Sequence, residues 1–376
     1  MKCNSKQISV NQVNVALFFF RLSTSGGAER MICWLANALV ERGFDVTIFS
    51  LDEPGVKSFY ELKSSVNWVQ LGLRSGLMDK LRRVKSLFTQ LRKRKIDLLI
   101  GFVISGDKTI YAATKLARVK LIVAERNAPS MYYIRYSSQQ RMIIFYLMKY
   151  ADYITVQCER FVDNYPANLQ RKINVIPNPV KSCSNHAFPD VLGNKYRFVM
   201  LAVSRLDEVQ KALTCLIEAF ALVQSDFPLW DLHIVGGGPD EAAYNELIQK
   251  KHLQSRIKLL KESKNITSCY VRSHLFVMPS RWEGFPNALA EAMAAGLPVI
   301  GFSEAEGVSD LISEDVGWLA EGISDSVSLS KTLKIAMNSH DERKAKGLQA
   351  IKAMDNYAEE IQIEKWIKLI NRVRNE

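Results

Sequence analysis

The sequence predicts an α/β protein made of two doubly wound domains, each with a parallel sheet covered by helices on both faces. Strand patterns and helix patterns alternate along almost the whole chain of 376 residues. Most of the strand patterns are continuous apolar runs, which are typical of strands that are buried on both faces. The alternation breaks once, before residue 195, and then begins again. Two domains are also expected from the length, at roughly 100–200 residues per domain.

The first domain is predicted to span residues 1–180. It begins with the strand VALFFF at 15–20, followed by a Gly-Gly turn and a helix from Ala28 to Arg42 that Gly43 ends. The apolar run is far shorter than the ~20 residues of a spanning helix, and the polar residues before it are unlike a signal peptide. We therefore expect neither kind of segment. Further strands are predicted at 45–50, 96–103, 119–126 and 152–158.

A proline-rich stretch with little periodicity separates the two domains. It opens at Pro177-Asn178-Pro179, and we interpret 181–194 as the linker and 195–355 as the second domain. A final helix at 356–376 has an apolar face and can pack back across either domain. The strands of the second domain are predicted at 197–203, 230–236, 256–260, 275–280 and 297–302.

Positive charge is concentrated in the first half of the chain. The net charge is +11, yet residues 1–180 contain 27 Lys or Arg and 13 Asp or Glu, whereas residues 181–376 contain 23 and 26. Eight basic residues and no acidic one lie in 80–95, and the aromatic-rich segment 131–150 contains further basic residues. This asymmetry predicts that the first domain faces a polyanion.

Three interpretations are compatible with this basic surface. Bulky apolar groups beside basic ones, as in 131–150, are typical of a helix in a membrane interface. The second interpretation is a solvated basic helix followed by an ordinary core helix. Nucleic acid is the third, but no recognised binding module is visible. We expect an anionic membrane surface as the partner and no nucleic acid, since each Lys or Arg near anionic lipid contributes about 1 kcal/mol.

Cysteine and histidine residues show no metal-ligand spacing. The six cysteines and five histidines are scattered, and no C-x-x-C pair occurs. No D-x-D sequence is present either, so we expect no bound metal and no cofactor. Scattered thiols are typical of a reducing, cytosolic compartment. The absence of a G-x-S-x-G elbow gives no support to a hydrolase.

The segment 279–298, PSRWEGFPNALAEAMAAGLP, is the most informative. A predicted strand ends before a loop with Glu283 and Gly284, and Pro286 stands where a helix begins, a position that favours proline. Free N–H groups at such a helix start bind anions, and Gly284 lets a ligand approach the backbone closely. Glu291 lies one turn further on, so two carboxylates flank the predicted anion site. Alternatively, Glu291 only caps or pairs on a surface helix.

Two cations follow the first strand of the second domain. Arg205 and Lys211 lie six residues apart in SRLDEVQKAL, directly after the strand predicted at 197–203. Ligands of doubly wound sheets bind at the carboxyl ends of strands. Arginine can hold a phosphate in a fork and lysine supplies a point charge. Each residue taken alone could instead be an exposed surface cation.

Two glycine-rich loops also follow strands. Gly26 and Gly27 in STSGGAE precede a helix and suggest an oxyanion or phosphate, although no P-loop G-K-[ST] follows. IVGGGPDE lacks the last glycine of a dinucleotide fingerprint, because Glu241 stands there. We interpret its Gly236 as part of a strand-to-turn junction that lines a nucleotide pocket.

Taken together, these motifs resemble the retaining glycosyltransferases of family 4, which have the GT-B fold of two Rossmann-like domains facing a cleft. The likeness covers nearly the whole chain through five motifs in the family's order: STSGGAER, IPNPV, SRLDEVQKAL, LHIVGGGP and EGFPNALAEAMAAGLPVI. The last contains the family's E-x7-E signature, from Glu283 to Glu291.

The resemblance implies a role for each motif residue. Arg205 and Lys211 would hold the donor diphosphate and stabilise charge on the leaving nucleotide. Glu283 would bind hydroxyls of the donor sugar and Glu291 those of the ribose, with the base near 260–262. The other residues implied to bind the donor are Gly26, Gly27, Gly236, Gly284, Phe285, Pro286 and Asn287.

Some positions depart from the family pattern. Ser204 and Ala212 stand where relatives usually have glycine, and Ser273-His274 stands where Ala-Asp is common. Many relatives have a histidine near the acceptor after the fourth strand, but here Glu125 and Arg126 occupy that region. We predict these two as acceptor-side or sugar-side residues.

The resemblance implies a nucleotide-diphosphate sugar as donor, with UDP-sugar as our expectation. AERNAP resembles bacterial members that act on lipid-linked acceptors, so we expect a polyprenyl-diphosphate-linked glycan and a peripheral position on the cytoplasmic face of the inner membrane. Two alternatives stay open: a nucleotide-sugar epimerase of the same fold, and a catalytically silent membrane-bound partner. A sugar phosphorylase would need a pyridoxal-phosphate lysine motif, which is not visible.

Overall fold

The computed structural model describes residues 13–73, 76–192, 197–261 and 265–375. Within these residues the strands form two sheets, one of seven strands and one of six. Neighbouring strands pair in parallel throughout both sheets. The predicted fold class, two doubly wound parallel-sheet domains, is confirmed.

The N-terminal sheet has the order β3-β2-β1-β4-β5-β6-β7. Its strands are β1 (Asn14–Phe19), β2 (Asp45–Ser50), β3 (Asn67–Gln70), β4 (Leu98–Phe102), β5 (Lys120–Ala124), β6 (Tyr153–Val156) and β7 (Ile173–Val175). The helices of this domain are α1 (Gly27–Glu41), α2 (Leu77–Lys93), α3 (Lys108–Ala117), α4 (Met131–Arg135), α5 (Ser138–Met148) and α6 (Ala167–Gln170), with a 3-10 helix at Glu159–Asn164.

The apolar character of β1 follows from its position at the centre of this sheet. Val15 and Leu17 belong to the core on the α1 side, whereas Ala16 and Phe18 belong to the core on the opposite face. Side chains of a strand point alternately to the two faces, so burial of both faces requires a continuous apolar run.

The C-terminal sheet has the order β10-β9-β8-β11-β12-β13. Its strands are β8 (Phe198–Val203), β9 (Trp230–Val235), β10 (Ile257–Leu260), β11 (Leu275–Val277), β12 (Val299–Phe302) and β13 (Gly317–Ala320). The helices are α7 (Glu208–Lys211), α8 (Leu213–Val223), α9 (Glu241–Lys250), α10 (Ile266–Val271), α11 (Asn287–Ala294), α12 (Ser326–Asn338) and α13 (His340–Met354), with a 3-10 helix at Asp355–Tyr357.

The last helix, α14 (Glu359–Asn375), crosses back to the N-terminal domain. Ile363, Trp366 and Ile370 are buried in the same apolar cluster as residues of β1 and α1. The Trp366 ring stacks on Phe102 of β4, with 6.3 Å between ring centroids. The backbone N–H of Val180 donates to the carbonyl of Tyr357 at 2.8 Å, so the two crossings between the domains lie side by side.

Three strands, β3, β7 and β13, were not expected from the sequence. All three lie at sheet edges, and they are short, with three or four residues each. An edge strand is covered less completely than a central one, so its sequence need not be a long apolar run. The predicted domain limits stay a prediction, and residues 193–196 lie outside the described residues.

Candidate active site

The motif residues meet where the strand order reverses. In the C-terminal sheet this point lies between β8 and β11, and in the N-terminal sheet between β1 and β4. Arg205 lies in the loop after β8 and Lys211 at the end of the following helix α7, and Glu283 lies in the loop after β11. Gly26 precedes α1, and Gly27 is its first residue. A crevice forms at such a reversal because neighbouring loops leave the sheet in opposite directions.

Lys211 and Glu283 form an ion pair at this point. Lys211 Nζ lies 2.5 Å from Glu283 Oε1, and the two side chains are only 15% and 9% exposed. Gln210 Nε2 donates to Glu283 Oε2 at 3.4 Å and to the carbonyl of Trp282 at 3.0 Å. The carboxylate is therefore fixed by two neighbours on α7, one charged and one neutral.

The short helix α7 is anchored from several directions. The Glu208 carboxylate accepts hydrogen bonds from the Tyr244 hydroxyl at 3.1 Å and the Thr214 backbone N–H at 3.0 Å, and pairs with Arg281 at 3.2 Å. The backbone N–H of Arg281 also donates to the carbonyl of Gln210 at 2.8 Å. These contacts hold the loop after β11 against the helix that carries Lys211.

Ala212 follows Lys211 in the left-handed region, with φ 49° and ψ 40°. This conformation costs an L-residue roughly 1–2 kcal/mol, whereas glycine adopts it readily. The conformation at this position therefore favours glycine over alanine. The sharp turn lets α8 begin directly after α7.

Glu283 is also held through its backbone. Its N–H donates to the carbonyl of Glu306 at 2.8 Å, in the loop after β12. Gly307 has φ +79°, and a Cβ there would lie 2.1 Å from the carbonyl oxygen of Glu283. The Glu306 carboxylate in turn accepts from the Ser130 backbone N–H at 3.2 Å and from Asn164 Nδ2 at 3.1 Å, both in the N-terminal domain.

The start of α11 presents backbone donors. Pro286 is the N-cap residue, one position earlier than the first helical turn where the sequence placed it. Among the described residues, no hydrogen-bond partner is found for the backbone N–H groups of Ala288 and Leu289. Such groups at a helix start are suited to bind an anion. The Phe285 side chain is buried beside the Tyr357 ring, so only its backbone can line the site.

Glu291 is contacted from both domains. Its Oε1 lies 2.5 Å from Arg30 Nη2 of α1, and its Oε2 accepts from the Tyr270 hydroxyl at 3.0 Å. One turn earlier on each helix, a Cβ on Gly27 would lie 2.9 Å from Asn287 Nδ2. The first turns of α1 and α11 therefore lie side by side across the cleft.

Arg205 is the most exposed of the predicted donor-site cations. Its side chain is 59% exposed, and Nη2 pairs with Asp207 Oδ2 at 2.6 Å. The loop that carries it packs tightly on the end of β9, because a Cβ on Gly236 would lie 1.9 Å from the carbonyl oxygen of Ser204. Gly236 thus allows a close backbone approach. Of the segment 260–262 predicted near the base, residue 262 lies outside the described residues.

Glu125 lies in a buried network of the N-terminal domain, and the neighbouring Arg126 reaches the domain interface. Glu125 is 2% exposed and accepts a hydrogen bond from the Tyr132 hydroxyl of α4. Burial raises the pKa of Glu125, although hydrogen bonds from Tyr132 and Ser105 oppose the shift. Burial lowers the pKa of Arg126 to about 9, with the Glu125 charge opposing it. Within the described residues, no contact joins either side chain to Lys211 or Glu283, and their predicted roles stay a prediction.

Arg126 instead contributes to the domain junction. Its guanidinium lies over the rings of Phe102 and Trp366, and Nη1 donates to Asn178 Oδ1 at 3.3 Å. Its carbonyl oxygen lies where Gly284 leaves room, because a Cβ on Gly284 would be 2.2 Å from that atom. Asn178 Nδ2 also donates to Asn287 Oδ1 at 3.0 Å.

Five residues of the site were not singled out from the sequence: Arg30, Gln210, Tyr270, Arg281 and Glu306. The sequence could have indicated three of them, because Arg30, Gln210 and Arg281 lie inside the motifs described above. Tyr270 and Glu306 lie outside the motifs, so only the fold brings them to Glu291 and Glu283. In the described part of the chain, no three His, Cys, Asp or Glu side chains cluster as metal ligands would.

Two family models match the chain, one for each domain. The model for glycosyltransferase family 4 matches residues 25–182, and the model for glycosyl transferases group 1 matches residues 186–353. Together the two models cover most of the chain, which belongs to the glycosyltransferases of group 1 and family 4. It is a glycosyltransferase that uses a nucleotide sugar, and the predicted resemblance is confirmed.

Individual proteins are similar over almost the full length of this glycosyltransferase. The amylovoran biosynthesis glycosyltransferase AmsD of Erwinia amylovora is 27% identical over 361 residues, which cover 93% of this chain and 97% of AmsD. An alpha-1,4-N-acetyl-D-galactosaminyltransferase of Campylobacter jejuni is 24% identical, over 95% of this chain and 98% of its own length. The name of that enzyme gives its acceptor as GalNAc-alpha-(1->4)-GalNAc-alpha-(1->3)-diNAcBac-PP-undecaprenol.

Solved structures share the fold. Anabaena Alr3699/HepE, whose structure was determined in complex with UDP and glucose, superposes with a TM-score of 0.77 at 17% identity. The match covers 96% of this chain and all of that chain. The GT-B fold of the glycosyltransferase is thereby confirmed over nearly its whole length.

Proposed function

We propose that this glycosyltransferase is retaining and moves a sugar from a UDP-sugar to a polyprenyl-diphosphate-linked glycan. The product would be a bacterial envelope polysaccharide such as O-antigen, capsule or exopolysaccharide. The observation that carries the proposal is the enclosed Lys211–Glu283 pair between the ends of β8 and β11. UDP in the Anabaena structure supports the donor, and the undecaprenol-linked acceptor named for the Campylobacter enzyme supports the acceptor class.

Donor binding would use groups that already lie in place. Lys211 and Arg205 would hold the diphosphate together with the free N–H groups of Ala288 and Leu289. Glu283 would accept hydrogen bonds from hydroxyls of the donor sugar. Charge accumulates on the leaving diphosphate in the transition state, and preorganised donors aimed at that charge lower the barrier most effectively.

In the transfer itself, the bond from the anomeric carbon to the phosphate oxygen breaks while the acceptor oxygen bonds to the same face of the sugar. The proton of the acceptor hydroxyl passes to an oxygen of the leaving diphosphate. Glu283 would act as a binding carboxylate and not as the nucleophile, since Lys211 and Gln210 hold both of its oxygens. This route needs no metal ion and no cofactor.

The acceptor side of the proposal rests on an exposed apolar surface of the N-terminal domain. We name it the α4–α5 surface, and Arg135, Arg141 and Lys149 lie within it. Its exposed members are Tyr133, Ile134, Tyr136, Met142, Ile143, Tyr146 and Tyr150. Among the described helices, none combines the length with the apolar composition that a membrane-spanning segment requires. We expect peripheral attachment to the cytoplasmic face of the inner membrane through aromatic, aliphatic and basic groups.

Transfer is tested with purified protein, a panel of UDP-sugars and lipid-linked glycan extracted from bacterial membranes. We expect labelled sugar to appear on the lipid, with retained configuration and with unchanged rates in EDTA, and to be lost in Glu283→Gln. Conversion of a free UDP-sugar without acceptor would instead identify an epimerase. Full glycan synthesis by a Glu291→Ala protein would favour the silent-partner alternative.

Membrane attachment is tested by sedimentation with vesicles of phosphatidylglycerol or phosphatidylcholine. Ile134 and Ile335 form a matched pair, since they are 55% and 54% exposed and lie in different domains. We expect binding to the anionic vesicles only, weakened by Ile134→Glu and unchanged by Ile335→Glu. Equal binding by the two variants would contradict attachment through the α4–α5 surface.

A further inference from the structure

Arg30 of α1 forms an ion pair with Glu291, the carboxylate that is expected to bind the ribose of the donor. Its Nη2 lies 2.5 Å from Glu291 Oε1, across the cleft between the two domains. Burial by itself would lower the pKa of Arg30, but the charge and the hydrogen bond of Glu291 raise it overall. One oxygen of Glu291 is therefore engaged by a full positive charge.

The two partners of Glu291 differ in how readily they can leave. Tyr270 belongs to the same domain as Glu291 and is 2% exposed, so its hydroxyl is fixed by the surrounding core. The Arg30 side chain comes from the opposite domain and is 37% exposed. Of the two, Arg30 is the partner that can exchange without disturbing the fold.

Three cations around the proposed donor site are each paired with a protein carboxylate. Lys211 pairs with Glu283, Arg205 with Asp207 and Arg30 with Glu291. A nucleoside diphosphate would bring new negative charge into this arrangement. Arginine binds phosphate oxygens in a two-pronged geometry, whereas ribose hydroxyls are neutral and suit a carboxylate.

The helix geometry places Arg30 close to the expected phosphates. Gly27 lies against Asn287, at the beginning of α11, where the free backbone N–H groups of Ala288 and Leu289 are found. Arg30 is three residues after Gly27 and therefore about one turn along α1, on the face that meets α11. A long arginine side chain at this place can point to Glu291 or toward the helix start.

We propose that Arg30 is an exchangeable donor-site residue that moves from Glu291 to the diphosphate when the nucleotide binds. The same movement frees Glu291 Oε1 for the ribose hydroxyls, so one side chain couples phosphate binding to ribose binding. This inference rests on the proposed function, because it needs a nucleoside-diphosphate donor. It adds a positive charge from the N-terminal domain to the site, so that donor binding draws the two domains together.

The simplest competing account is that Arg30 is only a latch between the domains. A latch that blocks Glu291 would compete with nucleoside and nucleoside diphosphate alike, so its removal would strengthen both. A purely structural arginine would weaken both. Only a residue that contacts the diphosphate changes the ratio of the two affinities.

The test measures dissociation constants for a nucleoside diphosphate and its nucleoside on the full-length protein. UDP, GDP and ADP are compared first on the wild type by calorimetry, and the nucleoside of the base that binds follows by ligand-observed NMR. The variants are Arg30→Gln and Arg30→Lys. Arg42→Gln is the control, because Arg42 ends the same helix and pairs with Glu364 outside the site.

We expect Arg30→Gln to raise the dissociation constant of the nucleoside diphosphate about tenfold or more, because a hydrogen bond to a charged group is lost. Nucleoside affinity should stay within twofold or rise, Arg30→Lys should recover part of the loss, and Arg42→Gln should bind both as the wild type does. An unchanged ratio of the two affinities in Arg30→Gln would overturn the inference, whether both rise or both fall. A wild type that binds none of the three diphosphates would first refute the proposed donor, and the inference with it.

Discussion

The two sides of the cleft use different chemistry. On the C-terminal side, charged side chains such as Lys211 and Glu283 pair at the ends of β8 and β11. On the N-terminal side, the loop after β5 contains Glu125, whose buried carboxyl has a raised pKa and a tyrosine hydroxyl as donor. The loops after β8 and β11 thus carry ion pairs, whereas the loop after β5 carries a buried hydrogen-bonded network.

This difference shows which residues of the cleft can be identified from the sequence. Cations and helix-start N–H groups favour binding of a diphosphate, and the residues proposed to supply them stand close together in the sequence. The N-terminal side is connected to it by long-range contacts, such as those of Ser130 and Asn164 with Glu306. Through these contacts the loop before α4, next to the α4–α5 surface, is joined to the backbone of Glu283.

The largest effect is expected for Lys211→Ala. Loss of a preorganised charge beside the leaving diphosphate should lower kcat/KM about 10²–10³-fold, by analogy with oxyanion-hole donors. Steady-state transfer assays measure the change. Lys331→Ala is the control, since Lys331 is an exposed lysine on α12. A loss of less than threefold in Lys211→Ala would contradict the role of this lysine.

The next effect concerns the fit between the two sides. Gly284→Ala would bring a Cβ to 2.2 Å from the backbone oxygen of Arg126, and should lower transfer about 10²-fold because the domains must shift apart. In Gly27→Ala the new Cβ would lie 2.9 Å from the side-chain nitrogen of Asn287, which can move. This variant should lower the transfer rate less than tenfold. Transfer rates, with small-angle scattering for cleft opening, compare the pair. Equal losses would show that cleft closure is not limited by backbone contact.

A smaller effect is expected on the pH dependence of stability, through the buried carboxyl of Glu125. The pKa of Glu125 is raised in the fold, so its contribution to stability is present below its ordinary value of 4.5 and is lost as pH rises through the folded value. A single group of this kind lowers the free energy of unfolding by at most about 1.4 kcal/mol for each pH unit in that window. Glu125→Gln should remove this fall, and urea unfolding between about pH 5 and about pH 8 measures it.

Exposed Glu314 provides the control for that measurement. Glu314→Gln should leave the pH dependence of stability as in the wild type. If Glu125→Gln also leaves it unchanged, Glu125 is not the group whose burial opposes ionisation.

The smallest effect is expected for Ala212→Gly. The left-handed backbone at φ 49° strains alanine, so glycine should raise the free energy of unfolding by about 0.5–1 kcal/mol. Ala221→Gly, in the interior of α8, should instead lower it by about 1 kcal/mol. Unfolding in denaturant measures the free energy of unfolding of both variants. A loss of stability in Ala212→Gly would contradict the strain argument.

His274 illustrates a departure from the family pattern that the structure explains. Its Nδ1 accepts from the Val199 backbone N–H at 2.9 Å, so Nε2 carries the proton and donates to the Val191 carbonyl at 2.8 Å. Burial lowers the pKa of His274 to about 4, which keeps the ring neutral near neutral pH. The residue joins β8 to the segment before it and has a structural role away from the cleft.

Local sequence patterns were enough to predict the fold class and the central strands, and to name motif residues that the structure brings to one cleft. These features depend on local causes: strands buried on both faces must be apolar, and a phosphate site at a helix start needs fixed spacing. Lys211, Glu283 and Glu291 could be named for this reason.

The pairing of groups that are distant in the chain became visible only in the folded molecule. Arg30 reaches Glu291, Glu306 holds Glu283, and the last helix α14 packs on the N-terminal core although it follows the C-terminal domain. Such contacts depend on how two separately wound sheets face each other, and no local pattern records that arrangement. The edge strands β3, β7 and β13 were not predicted for a related reason, because partial burial leaves their sequences without a long apolar run.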